Sequence, residues 1–414
     1  MPRSGVWRSP DFLKLWTGQA ISQMGTGISS AALSYTAIYF LGASPLQMGY
    51  LGGAGGAAIL IFGLFAGAWA DRVRRRPILI ASDLARAALL GSIPVAAALH
   101  LLNMGHLYVV AALNGILTVL FDVSYRAYVP TLLEPGEMLE GNSKLALTES
   151  IPEVAAPGLT GILVSWITAP MTILFDSVSF VVSAVSIALI RRPEPRPESH
   201  ATPHLAREIT EGLRTAWSHP ILRAVSLRTG SAAFFMGFFS SLYMIFAIRG
   251  LGLSAALLGT IISIGGATSL CGALLVERVV GRFGYGRTLI VSAALPGVAV
   301  LILPLAHGPV VVCAAVLTVS QLFDIAWPMY HISEMTLRQA IVPNQLMGRV
   351  NAFIDLLFRG ILPLGALAGG AIADIIGMRT TLLAAAIGFL LSTLWLVFSP
   401  IRHVRKLPPM LSCG

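Results

Sequence analysis

The sequence predicts an all-α integral membrane protein of twelve transmembrane helices, arranged as two six-helix bundles. Of its 414 residues, 56% are hydrophobic and only 11% are charged, and the mean hydropathy is +0.79. Soluble proteins carry about 25% charged residues, whereas twelve spans of about 20 residues need about 240 largely apolar positions. This composition excludes a soluble enzyme, a disordered chain and a disulfide scaffold as the main interpretation.

Twelve apolar runs define the predicted helices, because each is long enough to cross a bilayer. Glycine and proline occur inside several of them, which membrane helices tolerate when neighbouring helices satisfy the freed backbone groups. The runs cover residues 13–40, 47–70, 78–101, 107–128, 144–167, 170–190, 222–248, 254–276, 287–306, 309–331, 348–372 and 379–399.

The basic residues set the predicted orientation. If the N-terminus is cytoplasmic, nearly all of the 28 Lys and Arg residues fall on the cytoplasmic side, and the opposite loops hold only Arg249 and Arg379. Lysine and arginine collect in cytoplasmic loops of membrane proteins. We therefore expect a multi-pass protein with both termini in the cytoplasm. Its expected location is the cell membrane of a bacterium. The net charge of +9 then reflects topology and requires no nucleic-acid partner.

One long polar stretch divides the chain in two. It starts with alternating prolines, which favour an extended and semi-stiff linker. It continues with apolar residues at every fourth position (Leu205, Ile209, Leu213 and Trp217), the pattern of an amphipathic helix on the cytoplasmic face. That helix is either a spacer or a partner-binding site. The predicted domains are an N-terminal bundle at 1–190, a linker at 191–220, a C-terminal bundle at 221–400 and a tail at 401–414.

The two halves repeat short motifs. Leu-Phe-Asp-Val at 120–123 returns as Leu-Phe-Asp-Ile at 322–325, and Asp-Arg-Val at 71–73 returns as Glu-Arg-Val at 277–279. Two homologous helix sets with a joining linker are the architecture of a transporter whose halves rock about a central site.

The loop after predicted helix two resembles the signature of the major facilitator superfamily, Gly-x-Leu-Ala-Asp-Arg-x-Gly-Arg-Arg/Lys. It departs from that pattern at Arg74, where the family prefers glycine. Other segments, such as Ser-Pro-Asp-Phe at 9–12 and Gly-Arg-Val at 348–350, resemble the secretion-effector branch with macrolide-efflux and enterobactin-export proteins. The matching loop residues are Gly67, Asp71, Arg72, Arg75 and Arg76.

This resemblance implies a gate on the cytoplasmic side. Asp71 would cap helix eleven, while the arginines after it pair with Asp122 at the end of helix four. The second half offers Glu277, Arg282 and Asp324 as a weaker copy. The alternative is that these charges only set the loop topology.

Ionisable side chains inside predicted spans are candidates for ion coupling, since burying them in lipid is costly. Glu153, with Glu149 one turn away, is the first candidate for a proton-carrying carboxylate, followed by Asp355 and Asp176. Arg359 would attract an anionic substrate, hold Glu153 or pair with Asp355. Each of these residues has a structural alternative, as a hydrogen-bond partner between helices.

The resemblance also implies that helices one, four, seven and ten line a central cavity. Its predicted surface is apolar and aromatic with scattered amides and hydroxyls, which suits a bulky amphipathic molecule. The predicted lining residues are Gln19, Gln23, Tyr35, Asn114, Thr118, Ser226, Tyr243, Gln321, Trp327 and Tyr330.

No enzyme constellation is present in the sequence. It contains no phosphate-binding Gly-x-x-x-x-Gly-Lys-Ser/Thr loop, no metal-ligand spacing and no paired nucleophile and base. We expect no cofactor and no resident metal. The resemblance implies a monomeric secondary transporter that exports a drug, macrolide-like antibiotic or siderophore in exchange for protons. An importer, uniporter or lipid flippase on the same fold is the first alternative, and a non-transporting sensor or scaffold is the remote one.

Overall fold

The structure of the protein is a computed structural model. It describes residue 7 and residues 9–56, 73–134, 137–194 and 205–406. Side chains of residues 139, 147, 205–209 and 344 are outside that description, as are the predicted gate residues Gly67, Asp71 and Arg72. Within the described residues the chain is helical and contains no strand.

Fifteen helices succeed one another along the described residues. In the first half these are α1 (Pro10–Tyr35), α2 (45–56), α3 (Arg75–Ala98), α4 (Met104–Leu132), α5 (Met138–Ile167), α6 (Ala169–Thr172) and α7 (Leu174–Ala188). The later ones are α8 (Leu205–Ser218), α9 (Pro220–Ile245), α10 (Ala255–Phe283), α11 (Tyr285–Ile302), α12 (Val310–Leu322), α13 (Ala326–Ile341), α14 (Asn344–Ile376) and α15 (Met378–Val397).

Ten helical segments of the described residues are long and apolar enough to cross a membrane. Helix α1 is not among them, and predicted helix two is described only as far as residue 56. The all-helical membrane architecture is therefore confirmed. The count of twelve spans and the orientation of the termini stay predictions.

The chain divides into two compact units. The first comprises Met1–Ala43, Ala54–Thr202 and Ser254–Thr260. Its core is a cluster of large apolar side chains from α1, α3, α4, α5 and α7, because each of these helices turns an apolar face inward. Phe12, Leu79, Tyr128 and Ile187 are among its buried members.

The second unit comprises Ser44–Gly53, Pro203–Leu253 and Ile261–Gly414. Its core joins α8, α9, α11, α13, α14 and α15, and includes Ala216, Leu222, Leu337 and Phe353. Helix α8 packs on α14 through its small residues: Gly212 lies against the backbone of Arg349, and Glu211 forms an ion pair with Arg349 at 2.5 Å.

The described part of the apolar stripe of α8 is not the face that packs. Leu213 and Trp217 are 40% and 49% exposed, whereas Ala216 is fully buried. Small residues let two helix backbones approach closely, so Gly212 and Ala216 form the contact. The four-residue spacing predicted the helix, and its place on the cytoplasmic face stays a prediction.

Both halves carry the same π-helical turn. Helix α1 continues into a π turn at Thr36–Phe40, and α9 continues into one at Phe246–Gly250. Each turn leads to a glycine at positive φ, Gly42 at 66° and Gly252 at 72°. The residue after each glycine donates its N–H to the carbonyl six residues earlier, at 2.8 and 3.1 Å. The internal repeat seen in the sequence therefore extends to backbone conformation.

A second repeated turn joins α5 to α6 and α14 to α15. Thr168 adopts φ 85° and ψ 154°, and Gly377 adopts φ 86° and ψ 153°. The carbonyl of each accepts hydrogen bonds from the N–H and hydroxyl of a threonine four residues later, Thr172 or Thr381. Positive φ is strained for a β-branched residue and unstrained for glycine.

The repeated Leu-Phe-Asp motif has different structures in the two halves. In α4 it lies within a continuous helix, whereas Phe323–Ile325 forms a 3₁₀ turn between α12 and α13. Pro328 has no N–H to donate to the carbonyl of Asp324, which disfavours a continuous α-helix at this point. Helix α13 then runs on to Ile341, ten residues beyond the predicted end of helix ten at 331.

Candidate functional site

A cavity of about 260 Å³ lies within the second unit, between α9, α13, α14 and α15. Its wall combines charged groups with aromatic and apolar ones. The charged side chains are Arg228, Glu334, Arg338, Asp355 and Arg359, and the others are Thr229, Ala232, Met236, Trp327, Tyr330, His331, Ile354, Phe358 and Phe389.

Arg228 is the most deeply buried cation of this cavity, with 5% of its surface exposed. Its guanidinium carbon lies 3.8 Å from the ring centroid of Tyr330 and 5.5 Å from that of Phe389. The attraction between a cation and the faces of aromatic rings holds the guanidinium in place. One nitrogen, Nη2, donates to the carbonyl of Ala293 at 3.4 Å. The Nε atom has no hydrogen-bond partner among the described residues.

Glu334 and Arg338 lie one turn apart on α13. Glu334 is 6% exposed, and its Oε2 lies 3.6 Å from Nη2 of Arg338. Within the described chain, the other oxygen of Glu334, two nitrogens of Arg338 and the hydroxyl of Tyr330 also lack hydrogen-bond partners. Buried polar groups in folded proteins are almost always hydrogen-bonded, so this cluster offers hydrogen-bonding groups to water or to a ligand.

Asp355 and Arg359 lie at the exposed edge of the cavity. Arg359 is near the middle of the 33-residue helix α14, as its position in the sequence predicts. An ion pair between these two side chains, one of the alternatives for Arg359, is absent from the described structure. Both charges therefore stay accessible to a ligand or to water.

The first unit contains a second buried arginine. Arg86 is 4% exposed, and its guanidinium carbon lies 4.4 Å from the ring of Phe121 and 4.1 Å from that of Phe180. It forms an ion pair at 2.5 Å with Asp83, a fully buried carboxylate on the same helix. This is the local pair that the three-residue spacing indicates.

Asp176 is buried in a network of hydroxyl groups between α1 and α7. Its carboxylate accepts hydrogen bonds from Ser29 and, at 3.0 Å, from Ser179. Gln19, a predicted lining residue, is buried in the same helix contact and donates to Ser183 at 3.3 Å. These partners hold the carboxylate of Asp176 in a fixed position.

Glu149 and Glu153 are exposed one turn apart on α5. Arg126 of α4 attracts the charge of Glu149, while Asp122 and Glu153 repel it. The two glutamates thus share one face of the helix, as their spacing predicts.

The described gate residues have mixed environments. The backbone N–H groups of Arg75 and Arg76 donate to the carboxylate of Glu194 at 2.6 and 3.1 Å, and the Arg76 side chain donates to the carbonyls of Ile187 and Ala188. Glu194 therefore anchors the start of the linker at the N-terminus of α3. Asp122, Glu277 and Arg282 are exposed, and Asp324 lies partly buried in the 3₁₀ turn.

Of the predicted lining residues, Trp327 and Tyr330 line the cavity of the second unit. The buried ones are Gln19, Tyr35, Ser226, Tyr243 and Gln321, and the partly buried ones are Gln23, Asn114 and Thr118. Within the first unit, Tyr35 donates its hydroxyl to the carbonyl of Ala255 at 3.2 Å.

Sequence reasoning misses Arg228, His331, Glu334 and Arg338 as site residues. The charge pattern assigns Arg228 and Arg338 to the topology-setting loops, and the apolar run of helix ten ends at 331. A signal is nevertheless present: Glu334 and Arg338 have the four-residue spacing of a helical pair, which favours a longer helix. No cluster of potential metal ligands exists among the described residues.

Comparison with known proteins agrees with this fold. The family model of the Major Facilitator Superfamily matches residues 15–363. The chain is similar to the multidrug efflux pump Tap of Mycolicibacterium fortuitum, at 26% identity over 91% of this chain and 92% of Tap. It is also 26% identical to macrolide efflux protein A of Streptococcus pyogenes, over 96% and 97% of the two chains.

A crystal structure of the nucleoside transporter NupG superposes on this chain with a TM-score of 0.76. The superposition covers 94% of this chain and 98% of NupG at 11% sequence identity. At that level of identity the likeness concerns the fold alone.

Proposed function

This chain belongs to the Major Facilitator Superfamily, and we propose that it is a proton-coupled exporter of an amphipathic small molecule. The observation that carries the proposal is its similarity to two efflux proteins over more than 90% of both chains. We propose a drug, a macrolide-like antibiotic or a siderophore as the substrate class, and the cytoplasmic membrane of a bacterium as the location.

The cavity of the second unit supports an amphipathic substrate. Trp327, Phe358 and Met236 offer apolar contact, while arginine and carboxylate side chains occupy the same wall. Ligand sites in proteins are mostly apolar with a small number of placed polar groups. The substrate would therefore contact the second unit through both an apolar body and a polar group.

Proton coupling requires a carboxylate that exchanges its proton during the cycle. We propose Glu153 with Glu149, then Asp355 and Asp176, as the coupling carboxylates, and Arg359 as a further charged residue of the transport cycle. Ionisable groups within membrane helices are functional candidates because a charge placed in the bilayer is costly. Asp71, Arg72, Arg75 and Arg76, with Asp122 and the second-half copy, would form the gate on the cytoplasmic side.

Transport into inverted membrane vesicles tests this function. An imposed proton gradient is expected to drive uptake of a dye or macrolide into the vesicles, and collapse of the gradient should abolish it. Glu153→Gln should uncouple uptake from the gradient, while Glu137→Gln, at the start of the same helix, serves as the matched control. Uptake that does not depend on the proton gradient would indicate a uniporter or flippase. Transport in the opposite direction would indicate an importer, and the absence of flux would indicate a sensor or scaffold.

A further inference from the structure

We infer that the cavity of the second unit binds one oxyanion, a carboxylate or phosphate group, carried by the transported amphipathic molecule. The inference rests on the proposed function and adds the chemical class of the substrate. It starts from the charges of the cavity wall and the unsatisfied nitrogen of Arg228.

The charges of the cavity do not cancel. In its buried part, Arg228 and Arg338 face a single carboxylate, that of Glu334. At the exposed edge, Asp355 and Arg359 contribute one charge of each sign. A buried cation without a counter-ion is strongly unfavourable. One anionic group in the cavity would restore neutrality.

The orientation of Arg228 suits an oxyanion. Its guanidinium is held against Tyr330 and Phe389, and its Nε atom is without a hydrogen-bond partner in the described chain. A planar guanidinium held on aromatic rings presents its edge N–H groups, which match the two oxygens of a carboxylate or phosphate. The unpartnered nitrogens of Arg338 and the hydroxyl of Tyr330 are further donors in the same cavity.

The size of the cavity indicates a polar group with part of an apolar body. Its volume of about 260 Å³ lies just below the roughly 300–1,000 Å³ of sites that enclose a whole drug-sized ligand. Trp327, Phe358 and Met236 line the same space. An oxyanion attached to an apolar chain would satisfy both the arginine and the aromatic wall.

Binding to the purified full-length protein in a neutral detergent tests this inference, with decanoate as the probe. Decanol and decylammonium have the same chain with a neutral or cationic head. We expect decanoate to bind most tightly and decylammonium most weakly. Decylammonium binding as tight as that of decanoate would overturn the inference, and this ranking needs no variant.

Substitution of Arg228 locates the site. Arg228→Gln should weaken decanoate binding by about tenfold or more, because it removes a charge-assisted contact, and should leave decanol binding unchanged. Arg223→Gln is the matched control, since Arg223 is exposed on the same helix. An equal affinity of Arg228→Gln and the unsubstituted protein would overturn the inference. If Arg228→Gln does not fold, Arg338→Gln replaces it with the same expectation.

Two further probes separate the sources of the anion. Acetate and inorganic phosphate test a site for free anions, and either of them binding as tightly as decanoate would overturn the amphipathic part of the inference.

The transport assay and the binding assay can fail separately, so they distinguish the proposed function from the inference. Decanoate binding without proton-driven flux would contradict only the proposed function, whereas flux of a macrolide without decanoate binding would contradict only the inference.

Discussion

Arg86 in the first unit and Arg228 in the second are both buried and both held between two aromatic rings, yet only Arg86 has a close carboxylate partner. Asp83 lies one turn away on α3 and contacts Arg86 at 2.5 Å. Arg228 has no salt bridge in the described structure, and a cavity lies beside it. Both arginines have an Nε atom without a hydrogen-bond partner in the described chain, so the two sites differ in the counter-ion and in the adjoining cavity. Arg86 has its counter-ion on the same helix, whereas the cavity beside Arg228 leaves room for a ligand.

Removing that counter-ion should cause the greatest loss of stability. Asp83→Asn should destabilise the protein by about 3–5 kcal/mol, because it leaves the charge of Arg86 buried and uncompensated. Glu334→Gln, the matched change in the second unit, should have a smaller effect, because water in the adjoining cavity can solvate Arg338, whose Nη2 lies 3.6 Å from the Glu334 carboxylate. Thermal unfolding in detergent measures both, and equal losses would contradict the distinction between the two arginines.

The aromatic rings beside the two arginines should also contribute unequally to stability, with the larger contribution beside Arg86. Phe180→Leu is expected to lower stability by about 2 kcal/mol, because the ring is fully packed at 4.1 Å from the Arg86 guanidinium and a desolvated cation–π contact contributes about that much. Phe389→Leu should cost about half, since its ring lies 5.5 Å from Arg228. The same unfolding assay decides, and a larger loss for Phe389→Leu would reverse the order of the two sites.

The two halves also differ at the turn before α6 and α15, where Thr168 and Gly377 have the same backbone conformation but different side chains. Thr168→Gly should raise stability by about 1 kcal/mol, because it relieves a positive φ at a β-branched residue. Gly377→Thr should lower stability by at least as much. A lower unfolding temperature for Thr168→Gly would show that the threonine side chain contributes more than its strained backbone removes.

A pH dependence near the start of α1 should be the weakest of these effects. Partial burial works to raise the pKa of Asp11, but Lys14 and the backbone N–H groups of Arg191 and Arg192 outweigh it, so the pKa is lowered from its usual 3.8. The stabilisation by this carboxylate is therefore fully present above pH 3.8 and is lost as the pH falls through the lowered value. Asp11→Asn should lose about 1 kcal/mol at neutral pH and show less acid sensitivity. Unfolding from pH 7 to 3 measures this, and identical curves would contradict it.

The sequence predicted the all-helical membrane fold well, since long apolar runs and few charges have no other stable arrangement in lipid. The superfamily resemblance in the loop after helix two is confirmed by the family match. The contact of Asp83 with Arg86 also agrees with their three-residue spacing on one helix.

The cavity could not be predicted in the same way. Arg228 meets Tyr330 and Phe389 only through the packing of three helices, which residue spacing does not encode. A further cause is the end of helix ten: the apolar run stops at 331, while α13 runs on to Ile341 and carries Glu334 and Arg338 into the wall.

The π turns after α1 and α9 limit how the chain tolerates insertions and deletions. A π turn holds one residue more than an α turn, because its hydrogen bonds reach one position further along the chain. Deleting one residue from either turn would rotate the next segment by about 100° and move Gly42 or Gly252 away from the point where the backbone needs positive φ. Both halves keep the extra residue together with the glycine, so the duplicated structural unit is the helix with its turn. The number of residues in each turn is therefore constrained as strictly as the presence of the glycine.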